Sequence, residues 1–184
     1  MVRVMNRNLA ARILLPLLVA LPARAAVTDS ATNGFSVVEI AHISATPEKI
    51  YAALVTPSRW WSSEHTFSHD AANLSLDPVA GGCWCEKLAN GGTVQHLVVV
   101  QAIPSKALIM RGALGPLQGL GVEGALTISL KPVTDGTDIS FTYNVGGYLR
   151  DGLGGWGAPV DRVLGEQVTR LKSFVESDSP DIKR

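Results

Sequence analysis

The feature that most constrains this chain is the amphipathic segment near its end. From Ala158 onward, Val160, Val163, Leu164, Val168, Leu171 and Phe174 recur at helical spacing and form one apolar stripe. A long helix with such a stripe needs something to bury it against. The preceding residues supply it. Residues 122–130 and 137–145 alternate apolar and polar side chains around a turn at Asp135 and Gly136, the period of a strand with one buried face. The pattern predicts an α+β fold in which a bent antiparallel sheet grips one long C-terminal helix.

The remaining elements fit between these. Residues 35–43 are apolar and β-branched and read as a strand. Thr46, Pro47 and Glu48 form a helix start: the threonine caps free amides, proline tolerates the first helical position, and the acid suits the positive end. Ile50, Ala53 and Leu54 follow at helical spacing, and Thr56 with Pro57 opens a second short turn that ends near Trp61. Residues 62–78 are polar and read as a loop with a short strand. After Gly81 and Gly82 comes a hairpin, with strands at 83–89 and 92–103 about a two-residue turn at Asn90 and Gly91. Pro104 and Ser105 then turn into a strand at 107–111. The glycine-rich runs at 112–121 and 146–157 read as loops at a cavity mouth. The expected order is a strand, two short helices, five or six antiparallel strands and the long helix, with no internal repeat and no second domain.

This arrangement resembles the START-like, helix-grip superfamily, often called SRPBCC. Within it the chain is similar to the family named after the activator of heat-shock protein 90 ATPase. The resemblance is carried by ATPEKIYAALVTPSRWW at 45–61, GGCWCE at 81–86, the NGG hairpin with VVVQAIPSKAL at 98–108, and the closing helix. It covers residues 35–176 and implies an elongated cavity between sheet and helix. Relatives include lipid carriers, polyketide cyclases or aromatases, and stress-related ligand binders, so the fold does not fix the function. The resemblance implies a small hydrophobic or amphipathic ligand as partner. A cyclase or aromatase using the same cavity is the alternative.

Residues 1–25 read as a secretory signal peptide: Arg3, Arg7 and Arg12 lead, residues 13–21 are apolar apart from Pro16, and Ala23 and Ala25 are small. The apolar run falls short of the roughly 20 residues that span a membrane, so no membrane span is expected after cleavage. Residues 26–34 read as a flexible lead-in, 35–176 as the START-like domain and 177–184 as a polar tail. The expected location is periplasmic or secreted. An exported chain does not meet a cytosolic chaperone, which argues against the co-chaperone activity of the family's name. The whole chain has 16 basic and 16 acidic residues, but four arginines and no acid lie in the leader, so the remainder carries −4. That balance offers no footprint for nucleic acid.

Candidate chemistry centres on Cys83, Cys85 and His96. A two-residue turn puts Cys85 opposite His96 and Cys83 opposite Val98, with the two thiols and the imidazole on one face. That face also carries Val94, Val98 and Val100; Trp84, Glu86, Gln95 and Leu97 take the other. The more apolar set is expected to point inward. Three readings are open. The cysteines pack as small apolar groups beside a hydrogen-bonded His96; or Cys83, Cys85 and His96, with His65 as a fourth ligand, hold a metal, for which a lone C-x-C is a weak match; or the cysteines do redox chemistry. A Cys83–Cys85 bridge needs a local kink, because their Cα atoms lie about 6.6 Å apart in an extended strand.

Trp60, Trp61, Phe67, Tyr143 and Trp156 are aromatic candidates for the cavity wall. Arg111 is a candidate partner for a ligand carboxylate, or for Glu86 or Glu123 in a structural ion pair. His65, His96 and Tyr143 are the proton-transfer candidates of the enzyme reading. No phosphate-cradling or dinucleotide-binding glycine pattern occurs, and no cofactor is implied.

Overall fold

The computed structural model describes residues 26–181; the expected leader, residues 1–25, lies outside them. Eight strands form one antiparallel sheet: β1 (Ala26–Ala31), β2 (Gly34–Ile43), β3 (Leu74–Leu76), β4 (Cys83–Lys87), β5 (Thr93–Ile103), β6 (Ala107–Arg111), β7 (Gly121–Val133) and β8 (Gly136–Tyr148). Their order across the sheet is β1-β2-β8-β7-β6-β5-β4-β3. Two α-helices complete the fold, α1 (Pro47–Leu54) after β2 and α2 (Gly157–Ser177) at the end. No helix among the described residues is long and apolar enough to cross a membrane.

The long helix follows from its stripe. Leu164, Val168, Leu171 and Phe174 are buried against the sheet, each contributing on the order of 1.5–3 kcal/mol. The helix lies mainly along β2. The inner face of the sheet is continuous through Val37 and Ile43 of β2, Phe141 and Ile139 of β8, Ile128 of β7 and Leu108 of β6. Thr46 caps α1 through its side chain, which accepts from the Lys49 amide, and Pro47 takes the first helical position as expected.

Two expectations at the ends need correction. Residues 26–31 are the edge strand β1, paired with β2 from Ala26↔Val38 to Ala31↔Gly34, and not a flexible lead-in. An edge strand is held by main-chain hydrogen bonds, so small polar side chains suffice, and the apolar pattern that marks a strand is missing. At the other end α2 runs through Ser177, one residue into the expected tail, and residues 178–181 fold back toward it. Asp178 adopts the left-handed cap, and Asp181 lies 3.4 Å from Arg170.

The β4–β5 hairpin also differs from its expected form. Its loop has three residues, Ala89–Gly91, closed by Leu88 N–H donating to Gly92 O at 2.8 Å. Asn90 (φ 56°) and Gly91 (φ 79°) both take positive φ, which a short polar side chain and the absence of a Cβ respectively allow. This turn shifts the pairing by one residue, so Cys85 faces Gln95. A bulge opposite Trp84 and Cys85 then absorbs His96 and restores Cys83↔Val98. The extra residue leaves His96 and Leu97 both buried, although they are neighbours on one strand.

Candidate functional site

The bulge turns His96 toward the interior beside Leu97. Trp84 and Glu86, expected on the outer face, are 2% and 1% exposed, while Cys83 and Cys85 are partly exposed on the opposite side. The expected facing of β4 is therefore inverted, and His96 shares the inner side with Glu86 rather than with the thiols. Cys83 and Cys85 form a disulfide with Cα atoms 5.4 Å apart. This is shorter than the spacing of an extended strand, and the bulge supplies the kink the bridge needs. Cys83, Cys85 and His96 therefore do not converge as a ligand set: the two sulfurs are bonded to each other and turned away from the imidazole.

Closing so short a loop removes little disorder from the unfolded chain. Reduction should cost roughly 2 kcal/mol or less. The expected thermal midpoint drops by less than about 8 °C in reductant, with the tryptophan near-ultraviolet signal retained; collapse of that signal would mean the bridge holds the core together.

Between the first half of α2 and the β4 end of the sheet lies a cavity of about 420 Å³. One wall is α2 with the residue before it: Trp156, Pro159, Val160, Val163 and Leu164. Val160 and Val163 belong to the apolar stripe but are only partly covered, because both line the cavity. Trp84 and Leu74 form the floor, and residues 114–117 the facing rim. The segment from Trp61 to Phe67 closes the third side.

That segment is held at several points. Trp61 meets Trp84 edge to face at 4.9 Å between ring centres, and Trp60 packs on Trp61 at 5.5 Å. The Trp61 indole donates to His65 O at 3.0 Å. From α2, the Arg170 guanidinium donates to Trp60 O at 2.9 Å, and Gln167 Oε1 accepts from the Ser62 amide at 2.8 Å.

Two histidine–carboxylate pairs stand in this wall. His65 Nε2 lies 3.0 Å from Glu166 Oε2 of α2, both partly exposed. His96 Nε2 lies 2.9 Å from Glu86 Oε2, both buried. Glu86 also accepts from the Phe67 amide at 3.1 Å and from the Ser68 amide. Burial alone would raise the Glu86 carboxyl; the hydrogen bonds from Ser68, Phe67 and His96 outweigh it and hold the group below the usual carboxylate range. Burial lowers His96 despite the neighbouring carboxylate. The pair is thus an ionised Glu86 and a neutral His96, with the proton on Nε2. The Phe67 ring stacks on His96 at 6.0 Å.

Of the residues singled out in the sequence, Trp61, His65, Phe67, His96 and Trp156 line the cavity. Trp60 lies behind Trp61 in the core with its indole donating to Ala53 O at 3.0 Å. Arg111 is exposed at the end of β6, outside the lining, and its suggested partner Glu86 is taken by His96 on the opposite face. Tyr143 is fully buried: its hydroxyl donates to Gly112 O and accepts from Leu114 N–H, both at 3.0 Å. Burial, with a smaller contribution from Glu123, pushes it up to about 12 against the Leu114 hydrogen bond. It anchors residues 112–114 and does not line the cavity. Sequence reading missed Trp84 and Glu86 because of the inverted facing, and Glu166 because it sits among the polar residues of α2.

No protein-family model matches this chain, and no curated protein matches it. Solved structures do. A protein from Mesorhizobium loti superposes with a TM-score of 0.55 at 21% identity, over 76% of this chain and 96% of its own. The Aha1 dimer from Colwellia psychrerythraea gives 0.53 at 24% identity, over 77% of this chain and 96% of its own. DynU16, of the dynemicin biosynthetic locus, gives 0.54 at 17% identity, over 79% of this chain and 48% of its own. The chain has the helix-grip fold these proteins share. Identities this low carry the fold and leave activity to the site.

Proposed function

We propose that this chain is an exported protein that binds a small hydrophobic or amphipathic molecule in the cavity between α2 and the sheet. The observation that carries the reading is the apolar stripe of α2. Its second half is buried in the core, whereas Val160 and Val163 are left partly covered and line a space of about 420 Å³. Such a space, with a few polar groups in an apolar wall, has the size and character of small-molecule sites. Export rests on the charge, apolar and small-residue order of residues 1–25. The Cys83–Cys85 bridge supports it, since disulfides persist in oxidising compartments.

The expected result is saturable binding of a neutral apolar dye such as Nile red, displaced by an apolar competitor. Val163→Trp, which puts an indole into the cavity, should weaken dye binding at least about tenfold while leaving the far-ultraviolet spectrum unchanged. Unaltered affinity in that variant would place the dye elsewhere and remove the cavity from the argument.

The enzyme reading has one observation in its favour: two histidine–carboxylate pairs on the same cavity wall, a geometry suited to proton transfer. On this reading His65 and His96 would be the transfer groups, and Tyr143 would not.

A further inference from the structure

The cavity wall has a definite charge character. Glu64 lies in it, Glu86 and Glu166 stand directly behind its two histidines, and no lysine or arginine lines it. Arg111, the cation that might have met an anionic ligand, is exposed at the end of β6. An anion entering this space would lose water, gain no cation and face three carboxyl groups.

The hydrogen bonding is equally definite. Glu86 already accepts two main-chain amides and is ionised, so it can only accept from His96. This puts the imidazole proton on Nε2. Nδ1 is left as a lone pair with no hydrogen-bond partner among the described residues, on a ring that lines the cavity. Trp84, opposite the bulge that carries His96, also lines the cavity, and its indole N–H has no partner among the described residues. The polar floor therefore offers one acceptor and one donor on neighbouring strands. A hydroxyl group, which donates one hydrogen bond and accepts another, matches the two in kind.

We infer that the cavity takes an uncharged apolar molecule bearing a hydroxyl group, an alcohol or a phenol, whose O–H donates to His96 Nδ1, and that it rejects carboxylates of the same shape. This rests on the binding reading above and adds the ligand's chemical class. An ammonium group could also donate to His96, and the wall's acidity would tolerate it. The observations favour the hydroxyl because Glu86 and Glu166 are already engaged with the histidines, and because a cation cannot accept from the Trp84 indole.

The test is direct titration of the full exported chain at pH 7 with four naphthalenes that differ in one substituent: 2-naphthol, 2-methoxynaphthalene, 2-naphthoate and 2-naphthylmethylammonium. Tryptophan fluorescence or calorimetry would read affinity. Naphthol is expected to bind at least about tenfold more tightly than the methoxy compound, equivalent to about 1.4 kcal/mol, and naphthoate should bind weakest. In His96→Phe the advantage of naphthol over methoxynaphthalene should disappear. Equal affinities for naphthol and methoxynaphthalene, or naphthoate or the ammonium compound binding best, would overturn the hydroxyl assignment and leave the cavity reading standing. Binding of none of the four would overturn the cavity reading, and the assignment with it. Should His96→Phe fail to fold, the four-compound series on the unaltered protein decides alone.

Discussion

Replacing Glu86 with alanine is expected to destabilise the protein by about 3–5 kcal/mol, the cost of leaving three buried N–H donors without their shared acceptor. Three donors converge on this carboxylate: the Phe67 and Ser68 amides and the His96 imidazole. Alanine would leave all three without an acceptor and open a void beside Trp84. The loss should also be felt at the cavity, because the two amides hold Phe67 against His96. Glu86→Gln keeps an acceptor oxygen but turns an NH2 toward N–H donors, so an intermediate loss is expected. Urea unfolding followed by tryptophan fluorescence measures both. A loss under about 1 kcal/mol for the alanine variant would mean that solvent reaches these donors and that the site is looser than its geometry implies. The pH sign is also fixed. A carboxyl held below its ordinary value stabilises the fold above the unfolded value of 4.5, and that contribution is lost as pH falls through the lower folded value.

A second pair should behave in the opposite sense. Glu39 on β2 is 2% exposed beneath α2, at a place where Gly165 leaves room for its carboxyl. Its Oε1 and the Asp161 Oδ1 are both buried without another hydrogen-bond partner. Two carboxyl groups so placed can satisfy each other only with a proton between them. Burial first, then the charge and hydrogen bond of Asp161, push Glu39 up to about 7. Between the unfolded value of 4.5 and about 7 the folded protein binds more protons than the unfolded chain, so this pair loses stability as pH rises through that window. Each pH unit weighs up to about 1.4 kcal/mol.

Glu39→Gln provides the missing hydrogen at every pH. The variant should match the wild type near pH 5 and exceed it by about 2–3 kcal/mol at pH 8. The comparison is between variants at each pH, so the titration of His96 and other groups cancels. Equal stability of the two proteins at pH 8 would show that the pair is solvated there and ionises freely.

Much of the architecture was legible because it rests on periodicities that tertiary contacts rarely override. The stripe from Val160 to Phe174 could only be a helix against a sheet. The alternation in β7 and β8 continues for many residues, and Thr46 with Pro47 is a local capping signal that works wherever it sits. The runs at 112–121 and 146–157 were expected at a cavity mouth, and residues 114–117 and Trp156 line the cavity.

The interior of the site was much less legible, and the reason lies in β4 and β5. β4 has five residues, CWCEK, and its two faces carry competing claims. Small cysteines and neighbouring valines suggest one facing, a tryptophan the other, and a glutamate beside that tryptophan normally points outward. One residue of register reverses every side chain. The three-residue loop supplied that shift, and the bulge at His96 cancelled it partway along the strand.

The sequence by itself determined the elements, their order and the need for a long helix to be gripped by a sheet, because hydrophobic period and capping are local properties of the chain. Only the tertiary structure decided that Glu86 and His96 meet in the cavity wall while Cys83 and Cys85 bond on the other face. That outcome depends on a three-residue turn, a bulge and the mutual packing of Trp60, Trp61 and Trp84, contacts between segments far apart in the chain that no local pattern encodes.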